Sequence, residues 1–257
     1  MLFDSHCHIS GSEYDENRED IISSLLQSDV KKVTDIAVDY NSSLRTVEFA
    51  KTHDFAYAAV GWFPGEVDRL NEELLAKTLK LCSEPKVAAI GEIGLDYHYD
   101  DNPDREVQKH WFLRQLEEAL RLDMPVCIHS RDADEDTFNI LRDSSLLEKG
   151  RVLMHCYSSS AEMAKQYIKL GAYISLAGPV TYKNARKQVE TAAIVPSDRL
   201  LVETDAPYLT PVPKRGEQNR PSYVEYTARR IAEIRGEDYE TLANNCYENA
   251  CRFYRVK

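Results

Sequence analysis

Short runs rich in Val, Ile, Leu and Ala recur along the chain, each followed by a longer stretch whose apolar positions return at helical spacing. The runs at residues 2–9, 32–38, 55–60, 86–90, 125–129, 151–156, 172–176 and 199–203 predict about eight strands. Several are continuous rather than alternating, as strands covered on both faces should be. Between them, residues 17–30 carry Ile21, Ile22, Leu25 and Leu26 as one apolar stripe. Residues 103–122 open on Pro-Asp-Arg-Glu, chemistry suited to a helix N-terminus, and place Leu113, Leu116 and Leu120 on one face. Residues 161–170 run into Gly171, a good helix C-cap, and two more helices are predicted over 222–235 and 238–254.

Strands alternating with crossover helices imply a parallel sheet. About eight such units in 257 residues fit a single (β/α)8 TIM barrel of the α/β class. An open doubly wound sheet would normally carry a Gly-rich phosphate loop after its first strand, and here that place holds His6-Cys7-His8. No linker or composition shift divides the chain, so one barrel domain over residues 1–257 is expected.

Composition narrows the picture by exclusion. Hydrophobic residues make up 43% and charged residues 29%, ample for a core, so disordered and fibrous readings fall away. No apolar stretch approaches a membrane span and the N-terminus lacks a secretory signal, which makes the cytoplasm the expected compartment. The six cysteines form no CxxC pair, so buried free thiols are expected rather than a disulfide framework. A net charge of −11 argues against coating nucleic acid through bulk surface charge. It leaves room for a local phosphate site in which bound metal supplies the positive charge.

Barrel enzymes place their working groups at the C-terminal ends of the strands. Read in order, those ends offer His6, His8, Glu92, His129, His155 and Asp205, so four of the chain's 7 histidines sit there. Strand alternation points His6 and His8 the same way, about 7 Å apart along the strand. They could share a divalent metal or simply be polar tips, and Asp4 on the same face could orient one of them. A lone histidine after an apolar run is usually a hydrogen-bonded core residue, but His129 and His155 end consecutive strands. Glu92, in an apolar run, would be a costly buried carboxylate without a cation beside it, and one carboxylate can bridge two metals. Asp205 has the same logic, with helix capping as its alternative. Glu203 reads as a supporting acid, and Asp96 as a turn residue or substrate contact. Four imidazoles and two carboxylates suffice for two metals of mixed N/O ligation, about 3.5–4 Å apart, that activate a water. No Ser nucleophile elbow or P-loop competes. A metal-dependent hydrolase follows from the residues.

The segments Asp4-Ser5-His6-Cys7-His8, Gly91-Glu92-Ile93-Gly94-Leu95-Asp96-Tyr97, Ile128-His129-Ser130-Arg131-Asp132-Ala133, His155-Cys156 and Glu203-Thr204-Asp205-Ala206-Pro207-Tyr208-Leu209 carry a family likeness. Together they resemble the TatD family of metal-dependent deoxyribonucleases, within the amidohydrolase superfamily, over nearly the whole chain. The resemblance implies two divalent ions (Mg, Mn or Zn), one held by His6, His8 and Asp205, the other by His129 and His155, with Glu92 bridging. It further implies Asp205 as general base and DNA as substrate, cleaved as a 3′–5′ exonuclease. The alternative keeps the barrel and changes the bond, to an ester or amide, including D-aminoacyl-tRNA deacylation. One loop departs from the family. Many relatives carry Gly-x-His-Pro-His after the third strand, whereas this chain reads Gly61-Trp62-Phe63-Pro64-Gly65. If those histidines contact the scissile phosphate in relatives, the contacts are absent here, which gives the alternative its room. After His155, Cys156-Tyr157-Ser158-Ser159 replaces the frequent Cys-Phe-Ser-Gly, a milder change.

Basic residues near the expected rim fit a phosphate substrate, with Arg131 and Arg215 ahead of Lys183, Lys214 and Arg220. Trp62, Phe63, Tyr97, Tyr157, Tyr182 and Tyr208 could stack on unpaired bases or merely pack loops. Neither a membrane nor an obligate protein partner is expected.

Overall fold

The structure, a computed structural model, describes all 257 residues. Eight strands form one sheet in sequential order with every neighbouring pair parallel: β1 Leu2–Cys7, β2 Val30–Ile36, β3 Ala56–Val60, β4 Val87–Asp96, β5 Val126–Arg131, β6 Val152–Met154, β7 Tyr173–Leu176 and β8 Leu200–Val202. The helices between and after them are α1 Arg18–Leu26, α2 Tyr40–Thr52, α3 Glu72–Lys80, α4 Arg105–Leu122, α5 Asp134–Arg142, α6 Ala161–Lys169, α7 Arg186–Ile194, α8 Val224–Arg235 and α9 Tyr239–Tyr254. The last strand meets the first through backbone hydrogen bonds and through side chains of β1, the Ser5 hydroxyl donating to Val202 O at 3.0 Å. The Asp205 N–H donates to His6 O at 2.9 Å, and the His8 N–H donates to Ala206 O at 2.8 Å. This is the expected TIM barrel, and its closing seam lays Asp205 directly beside His6 and His8. No helix is long and apolar enough to cross a membrane.

Apolar residues divide between two cores. The larger lies between the strands and the surrounding helices. The smaller fills the barrel, with Phe3, Ile36, Ala59, Ala89, Cys127, Leu153, Tyr173 and Leu201 contributed by the eight strands in turn. Phe253 and Tyr254 of α9 stop its N-terminal end: the Phe253 ring lies 5.4 Å from Tyr173 and the Tyr254 ring 5.7 Å from Phe3, centroid to centroid. The Tyr254 hydroxyl donates to Ser5 O at 2.6 Å, which satisfies its one polar atom in that apolar setting. Phe253→Ala is expected to lower unfolding free energy by about 3–5 kcal/mol. Tyr254→Phe, which keeps the ring and loses the hydrogen bond, is expected to cost about 1 kcal/mol. Urea unfolding of both variants measures the difference.

Several expected details differ. Strand β4 continues six residues beyond 90, to Asp96, because Gly91, Glu92 and Gly94 break the apolar pattern while pairing with β5 resumes, after a register shift, from Ile93 to Asp96. Arg131 is consequently the last residue of β5 rather than a loop residue. On α1, Leu26 is 64% exposed and does not belong to the buried stripe. On α4, Leu113 and Leu120 are exposed, and the buried face is Gln108, Phe112, Gln115, Leu116 and Ala119. The physical reason is that strand ends need partners. Gln108 accepts from the Asp96 N–H at 2.8 Å, and Gln115 accepts from the Trp62 N–H at 2.9 Å. Two buried amides thereby pair backbone groups at the ends of β3 and β4 and take inward positions that apolar counting gives to leucines.

Candidate metal centre

The interior layer sets the height of the site above it. On β5 and β6, Cys127 and Leu153 lie in the barrel core, and two residues later His129 and His155 face the mouth, as strand alternation requires. On β1 and β4 the step is three, from Phe3 to His6 and from Ala89 to Glu92. Register shifts between Asp4 and Cys7, and between Ile90 and Ile93, absorb the extra residue. Such irregularities re-aim side chains at active sites. At β4 the backbone is also crowded: a Cβ on Gly94 would fall 2.0 Å from His129 O, so only glycine lets β4 and β5 approach closely enough to set Glu92 against His129.

All six predicted residues converge. Glu92 stands at the centre with its two oxygens facing different partners. Oε1 lies 2.8 Å from His129 Nδ1 and 2.8 Å from His155 Nε2. Oε2 lies 3.5 Å from His6 Nε2 and 4.0 Å from His8 Nε2. Asp205 Oδ1 lies 3.7 Å from His6 Nε2 and 3.4 Å from His8 Nε2. These distances of 3.4–4.0 Å are longer than ordinary N–H···O hydrogen bonds. Two donors each about 2.1 Å from one cation at a tetrahedral angle stand about 3.4 Å apart, so the spacing suits a shared ion.

Unsatisfied atoms support the same fit. His6 is fully buried, yet neither ring nitrogen has a hydrogen-bond partner. A buried imidazole left so costs free energy unless something else bonds it. Glu92, Asp96 and Asp205 line one cleft with Glu203 buried beside His155, and their only ion-pair partners are histidines. Three overlapping groups have the donor types and spacing for a cation: His6 with His8 and Asp205; Glu92 with His129 and His155; and His6 with His155 and Glu203.

Around this centre further groups orient or flank the rings. Asp96 Oδ2 is 3.0 Å from His129 Nε2, leaving Nδ1 to face Glu92. Glu203 is fully buried, accepts from the Ser175 hydroxyl at 2.5 Å, and sets its other oxygen 3.4 Å from His155 Nδ1. His8 Nδ1 is 2.8 Å from Ile36 O, which turns Nε2 toward Asp205. Asp4 does not reach a histidine ring. Its carboxylate accepts from the backbone N–H of Thr204 at 2.8 Å and from the Thr204 hydroxyl, so it pins the β8 end that carries Asp205. Asp96 pairs with His129 through Oδ2 and, through Oδ1, accepts from the His98 N–H at 2.9 Å, so it also shapes the turn after β4, and it lines the cleft. Its even spacing from Glu92 on one strand is the signal that could have found it.

Charge follows the geometry. Burial alone would raise the Glu92 carboxyl, but His155, His129 and His6 hold it well below the usual carboxylate range. Burial likewise pushes Asp205 up, and His8, His6 and His155 outweigh it, so the carboxyl stays low. For His8, burial works against the proton, and Asp205 and Glu92 overcome it to place the imidazole at about 9.

The mouth opens into a cleft of about 890 Å³. Arg131 lines it. Arg215 does not: its guanidinium lies 4.4 Å from the Tyr182 ring and donates to the Tyr182 hydroxyl at 2.7 Å. Lys183, Lys214 and Arg220 also lie outside the lining. Of the candidate aromatics, Phe63 and Tyr208 face the cleft, whereas Trp62 and Tyr157 are buried. Arg45 of α2 and Tyr99 after β4 line it too, and nothing in their local sequence announced them.

The chain has relatives among known proteins. A family model described as TatD related DNase matches residues 3–255. The metal-dependent hydrolase YabD of Bacillus subtilis strain 168, itself uncharacterized, is 42% identical over 100% of both chains. The 3′-5′ ssDNA/RNA exonuclease TatD of Cronobacter sakazakii is 30% identical, covering 98% of this chain and 97% of its own. Among solved structures, the TatD homolog YJJV of Escherichia coli K12 superposes with a TM-score of 0.93 at 29% identity, over 100% of this chain and 98% of that one. With the barrel, the histidine–carboxylate mouth and a family match over almost its full length, the chain belongs to the TatD-related DNase family of metal-dependent hydrolases.

Proposed function

We propose that this protein is a divalent-metal-dependent phosphodiesterase that removes nucleotides from the 3′ end of single-stranded DNA. The observation that carries the reading is Glu92, whose two oxygens face two separate donor groups at the bottom of an open cleft. In this reading His6, His8 and Asp205 would hold one ion and His129 and His155 a second, with Glu92 serving as a ligand to either group. Bound divalent ions supply Lewis-acid charge and a water of lowered pKa. The chain's own groups do the rest. Asp205 remains ionised at neutral pH and accepts the proton of the attacking water. Asp96 keeps His129 in the tautomer that leaves a nitrogen free toward the centre, and Glu203 sets a buried negative charge beside His155. Arg131 offers a planar fork to a phosphate oxygen. The Cronobacter relative's name supports a nucleic acid substrate. Phe63, whose ring centroid is 4.9 Å from that of His129, gives the centre an apolar neighbour and favours, as second reading, an ester or amide substrate such as a D-aminoacyl-tRNA.

The test is metal add-back. Metal-free protein is given Mg²⁺, Mn²⁺ or Zn²⁺ and incubated with single- and double-stranded DNA labelled at either end, with Glu92→Ala as control. Metal-dependent release of single nucleotides from the 3′ label, lost in the variant, is expected. Two bound metals with no release from any DNA would replace this reading with ester or amide hydrolysis.

Metal uptake should also depend on pH. His8 must be neutral to ligate, and in the metal-free chain its folded pKa is raised from 6.5 to about 9. The stabilisation from protonated His8 is therefore complete below about 6.5 and is lost as pH rises through about 9. Metal affinity runs the opposite way, rising across this window with proton release. Calorimetric titration of Mn²⁺ in buffers of different ionisation enthalpy measures the protons released; none at pH 7 would contradict the assignment of His8.

A further inference from the structure

The structure assigns the wall beside His129 as a nucleobase subsite, built from Phe63 and Tyr99 with Arg131 as its phosphate contact; the inference rests on the nuclease reading and deepens it. Phe63 is half-buried, yet it packs against neither the barrel core nor the outer core, although Trp62 beside it belongs to the outer core. Its ring is therefore not spent on folding. It stands edge-on to His129 at 4.9 Å, on the lining of the cleft. The loop is shaped around it: a Cβ on Gly65 would fall 2.8 Å from the Phe63 ring, and the Phe63 N–H is tied to Val38 O at 3.0 Å. Free apolar aromatic surface beside a carboxylate-rich centre needs an occupant that is flat and apolar on one face and tied to an anion on the other. A nucleotide answers both requirements.

Tyr99 and Arg131 supply the second half. Tyr99 is 52% exposed and also lies outside both cores. Arg131 stacks over its ring at 4.8 Å and donates one nitrogen to its hydroxyl at 3.0 Å. That arrangement holds the guanidinium in place while leaving its other donors free, and no carboxylate pairs with it despite the acidic surroundings. Phe63, Tyr99 and Arg131 follow or end β3, β4 and β5, so three successive strand ends place an apolar face, an aromatic face and a cation around His129. Base–aromatic contacts of this kind tolerate any base, so the subsite selects for an unstacked nucleotide rather than for sequence.

The experiment is a binding comparison on protein loaded with Ca²⁺, with metal content measured in the same samples. Titration calorimetry gives Kd for 2′-deoxyadenosine 5′-monophosphate and for 2-deoxyribose 5-phosphate, which lacks only the base. Wild-type protein is expected to bind the nucleotide about tenfold tighter. Phe63→Leu, which keeps apolar bulk and loses the ring, is expected to shrink that ratio to about twofold while the sugar phosphate binds as before. Arg131→Gln is expected to weaken both ligands alike. Thermal melting confirms that the variants fold. Equal affinity for the two ligands, failure of both to bind, or an unchanged ratio in Phe63→Leu overturns the subsite. DNA release by a chain that does not discriminate the two ligands leaves the nuclease reading standing without the subsite. A tenfold ratio in a chain that releases nothing from DNA keeps the subsite and removes the nuclease reading.

Discussion

Glu92→Gln is expected to bind at most one equivalent of Mn²⁺ where the proposed function calls for two in the wild-type chain, and to lose more than about a hundredfold in turnover. The magnitude separates two roles. Removing a residue that only orients a ligand costs about 10–100-fold in metal affinity or activity. A bridging ligand should exceed that range, because both donor groups lose their shared oxygen pair at once. Gln keeps the volume and one oxygen, so packing in the barrel mouth survives and the effect reads on charge and ligation. Metal analysis after gel filtration, with turnover on end-labelled DNA, gives both quantities. Retention of two metals would remove Glu92 from the bridging position, whatever happened to turnover.

Asp205→Asn is expected to lower kcat by about 10²–10⁴-fold, the range associated with loss of a general acid–base group, with KM changed far less. Asn is the informative replacement because Asp205 has a backbone φ of 55°, a left-handed conformation that Asn tolerates and most residues do not. The seam hydrogen bond from the residue 205 N–H to His6 O is a backbone bond and should persist. A second readout is independent of catalysis. In the metal-free variant the His8 imidazole, now at about 9, should fall toward its ordinary 6.5, since Asp205 is foremost among the groups that raise it. An NMR titration of the ring follows this directly. If His8 falls while turnover survives, the two residues are neighbours as described and another group takes the proton.

Legibility of the chain divided by length scale. The six residues at the mouth were readable because each ends or interrupts an apolar run, and such an interruption in a strand covered on both faces is expensive without a purpose. Their partners were harder to read. Asp4 shares strand parity with His6 in the sequence, but the register shift between Asp4 and Cys7 turns it toward Thr204 instead. Leu113 and Leu120 obeyed helical spacing and still lost the buried face of α4 to Gln108 and Gln115. Hydrophobic periodicity counts apolar gain and does not see an unpaired strand-end N–H on another element.

Arg45, Tyr99 and Arg131 show the same boundary at the cleft. Arg131 follows a histidine two residues earlier on β5 and could be picked out, whereas Arg45 lies on the exposed side of α2 and Tyr99 in a polar turn. Arg215 sits in a motif-bearing loop, but its guanidinium is occupied by Tyr182. A one-dimensional pattern reports which elements form and which faces they bury, because both follow from spacing and transfer free energy along a short segment. Alternation of strand and helix, the count of units and the set of imidazoles and carboxylates at strand ends were therefore determined by the sequence alone. Where β8 closes on β1, which carboxylate holds which ring, and which cation and aromatic face the cleft were decided only in the tertiary structure. Those outcomes depend on register shifts, on glycine-permitted close approaches and on competition between distant groups for the same hydrogen-bond partner.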